Sequence, residues 1–234
     1  MKIGGFLKQS LIDFPGKIAS VVFTSGCNFR CFYCHNPELV LPELIQENQL
    51  IDENEILAYL EKNKNLLDAV VITGGEPTIH FNLVEFIRKV KKLGLLIKLD
   101  TNGTNPKILN DLLKQELVDF IAMDIKSPLK LERYQEIVGN QFSPVQLKSI
   151  LESIGLITKS NIKFEFRSTL VKPYHSIEDI QEMKHSVEGE YYLQEFNESK
   201  ILNSNCTNLN AFNQDEIKSE IEYSDNDKTN LKFR

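Results

Sequence analysis

The chain has 234 residues, 41% of them hydrophobic, with 27 basic against 33 acidic side chains and a net charge of −6. That length and apolar content suffice for one sizeable core, while the acidic balance argues against generic binding to nucleic acids or anionic membranes, which needs a basic field. No apolar run approaches the roughly 20 residues that span a bilayer, and the opening MKIGGFLKQSLIDFPG lacks the apolar region and cleavage site of a signal peptide, so a cytoplasmic location with reduced thiols is expected.

The first residues, through DFPGK, read as a short hairpin. Apolar, β-rich runs then recur at 18–25 (IASVVFTS), 68–75 (DAVVITGG), 95–103 (LLIKLDTNG), 118–126 (VDFIAMDIK), 162–171 (IKFEFRSTLV) and 190–196 (EYYLQEF). Several are almost continuously apolar, as in parallel strands covered on both faces. Helical periodicity falls between them, at 53–65, 80–93, 106–115, 144–158 and 176–187. Asn105-Pro106 and Ser143-Pro144 each set a capping residue before a proline, a helix-start signal. RKVKK, at 88–92, is the densest basic run and reads as the solvated face of a helix. Repeated strand–helix units predict an α/β fold with a parallel sheet and right-handed crossovers. About six units predict an open, incomplete (β/α)6-type barrel rather than the full eight. From Asn203 the chain turns polar, with a helix expected near 214–223 and a short strand at NLKF. The expected organisation is a core domain over 1–202 and an extension over 203–234, packed on the core or trailing from it.

Three of the four cysteines, Cys27, Cys31 and Cys34, lie within eight residues directly after the first long strand. Three thiolates suit an iron–sulfur cluster that keeps one iron without a cysteine, whereas most clusters are held by four. Zinc is a rival. A structural zinc site is normally closed by four ligands, and His35 or Cys206 would have to supply the fourth. A redox disulfide within the loop would leave one thiol unexplained.

The surrounding residues favour the cluster. CNFRCFYCHNPE resembles the signature of the radical S-adenosylmethionine (SAM) superfamily, CxxxCxxC with an aromatic residue, here Tyr33, before the last cysteine. GGFLKQSLIDFPGKIASVVFTSGCNFRCFYCHNPELV resembles the activating proteins of anaerobic ribonucleoside-triphosphate reductases, within the wider class of glycyl-radical-enzyme activases. The likeness continues through VVITGGEPT, DTNG and MDIK to about residue 200; the tail matches loosely. It implies a radical SAM barrel in which Cys27, Cys31 and Cys34 hold a [4Fe–4S] cluster, and SAM chelates the open iron through its amino and carboxylate groups. Cys206 is then a bystander. It also implies a low-potential electron donor such as flavodoxin or ferredoxin, and a partner reductase that presents a backbone glycine.

The remaining motifs sit where strands end, the functional edge of parallel α/β barrels. Gly74-Gly75-Glu76 follows the second long strand. Its glycines permit close backbone approach, although such a pair alone reads as a turn. The resemblance assigns the motif to the SAM amino group, with Glu76 as the acceptor. Asp100-Thr101-Asn102-Gly103 reads as a turn on its own. Asp124 and Lys126 face one side of their strand, as a cofactor contact or a structural ion pair. The resemblance places Thr101, Asp124, Lys126 and Arg167 at the SAM site, with Tyr33 and Asn36 of the cysteine loop, and makes Asp100, Thr101 and Asp124 candidate ligands of a monovalent cation. Arg167 suits a carboxylate, or pairs with Glu165. Where some related activases carry a SAM-contacting histidine on the sixth strand, YYLQEF has Gln194 and Glu195. His175 and His185 are expected at the surface.

Overall fold

In a computed structural model, which describes residues 1–45, 50–197, 202, 209–221 and 228–234, the apolar runs form a single sheet in chain order. Strand β1 (Ile3–Ser10) pairs antiparallel with β2 (Ala19–Thr24), the two forming the leading hairpin. Strands β3 (Ala69–Gly74), β4 (Leu96–Thr101), β5 (Phe120–Asp124), β6 (Lys163–Leu170) and β7 (Gly189–Glu195) follow, each parallel to the one before. The order β1 to β8 is linear, so the sheet stays open between its two edges.

Among the described residues eight α-helices lie between the strands: α1 (Pro37–Val40), α2 (Glu53–Asn63), α3 (Leu83–Lys91), α4 (Pro106–Lys114), α5 (Leu131–Val138), α6 (Pro144–Thr158), α7 (Ile177–His185) and α8 (Gln214–Glu220). Their starts are written in the sequence. Ser143 and Gln146 form a reciprocal capping box ahead of Pro144, and the Asn105 side chain accepts from the Ile108 amide. Caps of this kind contribute about 1 kcal/mol each. Helix α3 buries Leu83, Phe86, Ile87 and Val90, the i, i+3, i+4, i+7 stripe of an amphipathic helix.

The strands have two different faces. One carries Val22, Val70, Ile72, Leu99, Ile121, Met123 and Phe166 into the main core shared with the helices. The other holds a smaller cluster of Ala19, Val21, Ala69, Val71, Phe120 and Ala122, with Phe14 of the hairpin turn packed on Phe120 at 5.7 Å. With a period of two along each strand, that second face continues from Leu96 to Lys98 and Asp100, from Ala122 to Asp124, and through Glu165 to Arg167. It is apolar at its base and charged at the carboxyl ends of the strands.

The tail adds to this sheet. Strand β8 (Thr229–Phe233), the short strand expected at NLKF, lies parallel to β7 and brings the parallel strands among the described residues to seven. Arg234 reaches back to Glu165 on β6, with contacts of 3.1 and 3.2 Å. Residues 203–208, including Cys206, lie outside the described residues.

Candidate active site

The loop from Ser25 to Asn36 is tied down at both ends before its cysteines are considered. The Ser25 amide donates to Lys2 O at 2.9 Å, Gly26 to Leu39 O at 2.6 Å, and Arg30 to Val138 O at 2.9 Å. The Arg30 guanidinium folds back onto the carbonyls of Cys27 and Phe29, both at 2.7 Å. Beneath it lies an aromatic bed: Phe29 packs edge-on against Phe142, and Phe32 against Tyr33 and Tyr174. The three cysteines are free thiols, Cys31 buried and the other two half-buried, and all line one cleft. Burial pushes all three thiols up, Cys27 further because Glu76 is near; Cys31 rises to about 12 although Lys126 opposes the shift. Such thiols become thiolates only when a metal supplies the balancing charge.

The donor set fits an iron–sulfur cluster. Three free thiols of one loop line a single cleft, and thiolates are the ligands that iron–sulfur clusters take. His35, the fourth zinc ligand considered, is turned toward β7, its Nε2 at 2.7 Å from Asn197 O.

The glycines of the second motif serve the cysteine loop directly. Gly74 has φ of +108°, and a Cβ on it would lie 2.5 Å from the Thr24 nitrogen. A Cβ on Gly75 would lie 2.0 Å from Gly26 O. Gly75 N donates to Thr24 O, and Glu76 N to Gly26 O, each at 2.8 Å. The chain's own backbone thus makes one close approach to these glycines.

Glu76 is buried, and its carboxylate is already engaged. Oε1 accepts from Thr78 N (3.0 Å), Thr78 Oγ1 (2.5 Å) and Thr101 Oγ1 (2.7 Å), and Oε2 from Asn102 N (2.7 Å). Burial raises its pKa against these bonds. The side chain joins the ends of β3 and β4 and keeps lone-pair capacity on Oε2 alone. Glu76→Gln would turn an amide NH2 toward protein donors. Unmatched buried groups cost about 1–3 kcal/mol each, so thermal denaturation of the variant is expected to shift down by roughly 2–12 °C. An unchanged midpoint would show that the carboxylate does not hold these donors.

Across the cleft stands a charged wall. Arg167 Nε donates to Asp124 Oδ1 at 3.0 Å and Nη1 to Asp100 Oδ2 at 3.3 Å; Lys126 Nζ lies 2.9 Å from Asp124 Oδ2. Burial works against the Asp124 carboxylate, yet Arg167 and Lys126 hold its pKa down at about 2. The same aspartates keep Arg167 and Lys126 protonated despite their burial. Thr101 Oγ1 donates to Glu76 and accepts from Gly103 N at 3.1 Å. Asn36 lies on the cleft and precedes α1 without a side-chain cap bond. Tyr33 OH, also on the cleft, is buried with no hydrogen-bond partner among the described residues.

Two pairings differ from expectation. Glu165 bonds Arg234, so Arg167 is left for the two aspartates. His175 is buried rather than at the surface. Its Nδ1 accepts from Val171 N at 3.1 Å, which leaves Nε2–H to donate to Lys126 O at 3.0 Å. Lys98 was not singled out, although Lys98 and Asp100 show the same alternation as Asp124 and Lys126. Its ammonium lies 2.9 Å from Asp100 Oδ1, at an angle too poor for a hydrogen bond.

A larger hollow of about 1110 Å³, lined by Phe14, Leu96, Phe120 and Leu156 among others, lies at the opposite ends of the strands and contains no cysteine. The cleft with the thiols is therefore the candidate active site.

The chain resembles known proteins. A protein of Methanocaldococcus jannaschii with the provisional name glycyl-radical enzyme activating enzyme is 33% identical over 198 residues, 83% of this chain and 79% of its own length. A second from that organism, similarly named, is 32% identical over 164 residues, 70% of this chain and 58% of its own length. Among solved structures, Streptococcus suis SuiB bound to S-adenosylmethionine superposes with a TM-score of 0.63 at 15% identity. That match covers 92% of this chain but 49% of SuiB, and at this identity it speaks for the fold alone. The sequence pattern of the radical SAM superfamily matches residues 21–187, from within β2 to just past α7. With the three-cysteine loop, the carboxyl-end cleft and the open parallel sheet in agreement with that match, the chain belongs to the radical SAM superfamily.

Proposed function

We propose that this radical SAM enzyme is an activase that places a glycyl radical on an anaerobic ribonucleoside-triphosphate reductase. The observation that carries the reading is the set of three unpaired thiols on one loop, facing the carboxylates and cations of β3 to β6 across a single cleft. Cys27, Cys31 and Cys34 hold the [4Fe–4S] cluster of the superfamily. Bound there, cluster and SAM would supply one chemistry, reductive cleavage of the sulfonium to methionine and a carbon-centred radical able to take hydrogen from carbon.

The chain's residues orient and shelter that chemistry. Gly74 and Gly75 seat the cysteine loop against β3. Glu76 offers its spare acceptor capacity to the SAM ammonium, while Lys126 and Arg167 present cations to its carboxylate. Asp124, Thr101, Tyr33 OH and Asn36 supply further polar contacts. Phe29 and Phe32 line the loop with apolar surface and exclude water. Among the described residues no helix is long and apolar enough to cross a membrane, and a flavodoxin or ferredoxin in the cytoplasm serves as electron donor.

The names of the two archaeal relatives support the activase class. The reductase as partner rests on the segment GGFLKQSLIDFPGK and its resemblance. The test is anaerobic incubation with unlabelled SAM, a reductant and a reductase deuterated at its C-terminal glycine. Deuterated 5′-deoxyadenosine is expected, with a doublet radical signal on the partner and reductase activity appearing only then. Deuterium-free deoxyadenosine beside an activated, fully deuterated partner would rule out direct abstraction. A radical formed only on another glycyl-radical enzyme would keep the reaction and reassign the partner.

A further inference from the structure

The resemblance points to Asp100, Thr101 and Asp124 as ligands of a monovalent metal ion, and their surroundings do not fit one. Asp124 has an Arg167 nitrogen 3.0 Å from Oδ1 and the Lys126 ammonium 2.9 Å from Oδ2. Asp100 has the Lys98 ammonium 2.9 Å from Oδ1 and Arg167 3.3 Å from Oδ2. Three cationic side chains thus face two carboxylates, a surplus of one positive charge. Glu165 also acts on Arg167, but its bonds go to Arg234, and that pair, neutral as a whole, leaves the surplus in place. Thr101 directs its hydroxyl proton to Glu76.

The sheet builds this arrangement in. Asp124 and Arg167 are register partners on β5 and β6, and Asp100 stands on β4, in register with Ala122. Strands are about 4.8 Å apart, so Asp100 and Arg167 are separated by roughly 10 Å of sheet. Arginine is long enough to bridge that distance, and its planar fork can serve two carboxylates at once. The Asp100 side chain is 14% exposed and that of Arg167 12%, so water screens the contact little.

Resting on the reading of this cleft as the SAM site, we infer that Arg167, with Lys98 and Lys126, stands in place of a monovalent metal ion between Asp100 and Asp124, and that SAM binds without Na⁺ or K⁺. Arg167 then has a positioning role beside the charge it presents to the SAM carboxylate. It fixes the two carboxylates and leaves a net positive field toward the anionic end of the ligand.

The test uses the iron-loaded protein in tetramethylammonium, sodium and potassium chlorides at equal ionic strength. One readout needs no SAM: an ion that binds the native state raises the melting temperature. The wild-type midpoint is expected to be the same in all three salts, and its SAM dissociation constant to agree within about twofold, as when no charge-charge contact differs. Arg167→Gln removes the surplus charge. Its midpoint should rise with Na⁺ or K⁺, and its SAM affinity should improve about tenfold over tetramethylammonium, the scale of one partly buried charge contact. Arg167→Lys keeps the charge without the fork, so its midpoint should stay as indifferent to Na⁺ and K⁺ as that of wild type even where its overall stability falls. A wild-type protein stabilised by Na⁺ or K⁺, or one that binds SAM about tenfold better with them, would overturn the inference. So would an Arg167→Gln protein indifferent to both ions. Failure to bind SAM in every salt would count against the SAM-site reading, while the melting comparison still decides the ion question.

Discussion

Cys27→Ala, Cys31→Ala and Cys34→Ala are each expected to abolish SAM cleavage and to strip the protein of iron. Anaerobically purified wild type should be brown and contain about four irons per chain, the content of one [4Fe–4S] cluster. The effect should be all or none because the loop has no substitute donor. His35 is turned to Asn197 O, and Glu76 is held by four protein donors. The fold should survive, since the loop is anchored through Gly26, Arg30 and the Phe29–Phe142 contact, none of which uses sulfur. Far-ultraviolet circular dichroism should therefore be unchanged while iron content and deoxyadenosine formation collapse. Cys206→Ala should retain both. Stoichiometric zinc and no iron after anaerobic reconstitution of wild type would sink the cluster assignment.

The fold was legible where one physical signal dominated. Strands buried on both faces read as apolar runs, and Ser143-Pro144 and Asn105-Pro106 fixed two helix starts because capping and proline geometry are local. Helix α5 was missed because its eight residues, LERYQEIV, give only two turns of periodicity and follow Ser-Pro, which reads as loop. Helix α1 is shorter still, at four residues.

Within the site, residue identity was easier to read than pairing. Arg167 was singled out, but local spacing offered Glu165 as its partner. The actual partners sit on β4 and β5, and only the sheet register brings them together. His175 carried no local signal, because its burial depends on β6 meeting the Lys126 loop. Lys98 alternates with Asp100 as Lys126 does with Asp124, but it stands inside an apolar run, LLIKL, whose dominant signal is a buried strand. The signature CxxxCxxC marked the centre, yet it could not tell that Gly74 and Gly75 accommodate the cysteine loop itself.

That last contact carries a further expected result: Gly75→Ala should abolish cluster retention although it alters no candidate ligand. The added Cβ would sit 2.0 Å from Gly26 O, inside any allowed contact, and the obstacle is backbone rather than a side chain that could rotate away. Gly26 cannot retreat freely. Its amide donates to Leu39 O at 2.6 Å, and its carbonyl accepts from Glu76 N at 2.8 Å. Gly26 also immediately precedes Cys27, so relief of the clash must displace the first ligand. Overpacking of this kind costs typically 1–3 kcal/mol and more where backbone must move, a loss of roughly 2–12 °C in melting temperature. Gly155→Ala is the matched control. Gly155 lies inside α6, and a Cβ there meets nothing within 4 Å. The same added methyl should stabilise the helix by about 0.5–1 kcal/mol. Iron content and melting temperature, measured on both variants after identical anaerobic reconstitution, separate a geometric effect from the bare cost of a larger side chain. If Gly75→Ala keeps its iron and its midpoint, β3 and the cysteine loop do not approach as closely as the Gly75–Gly26 contact requires.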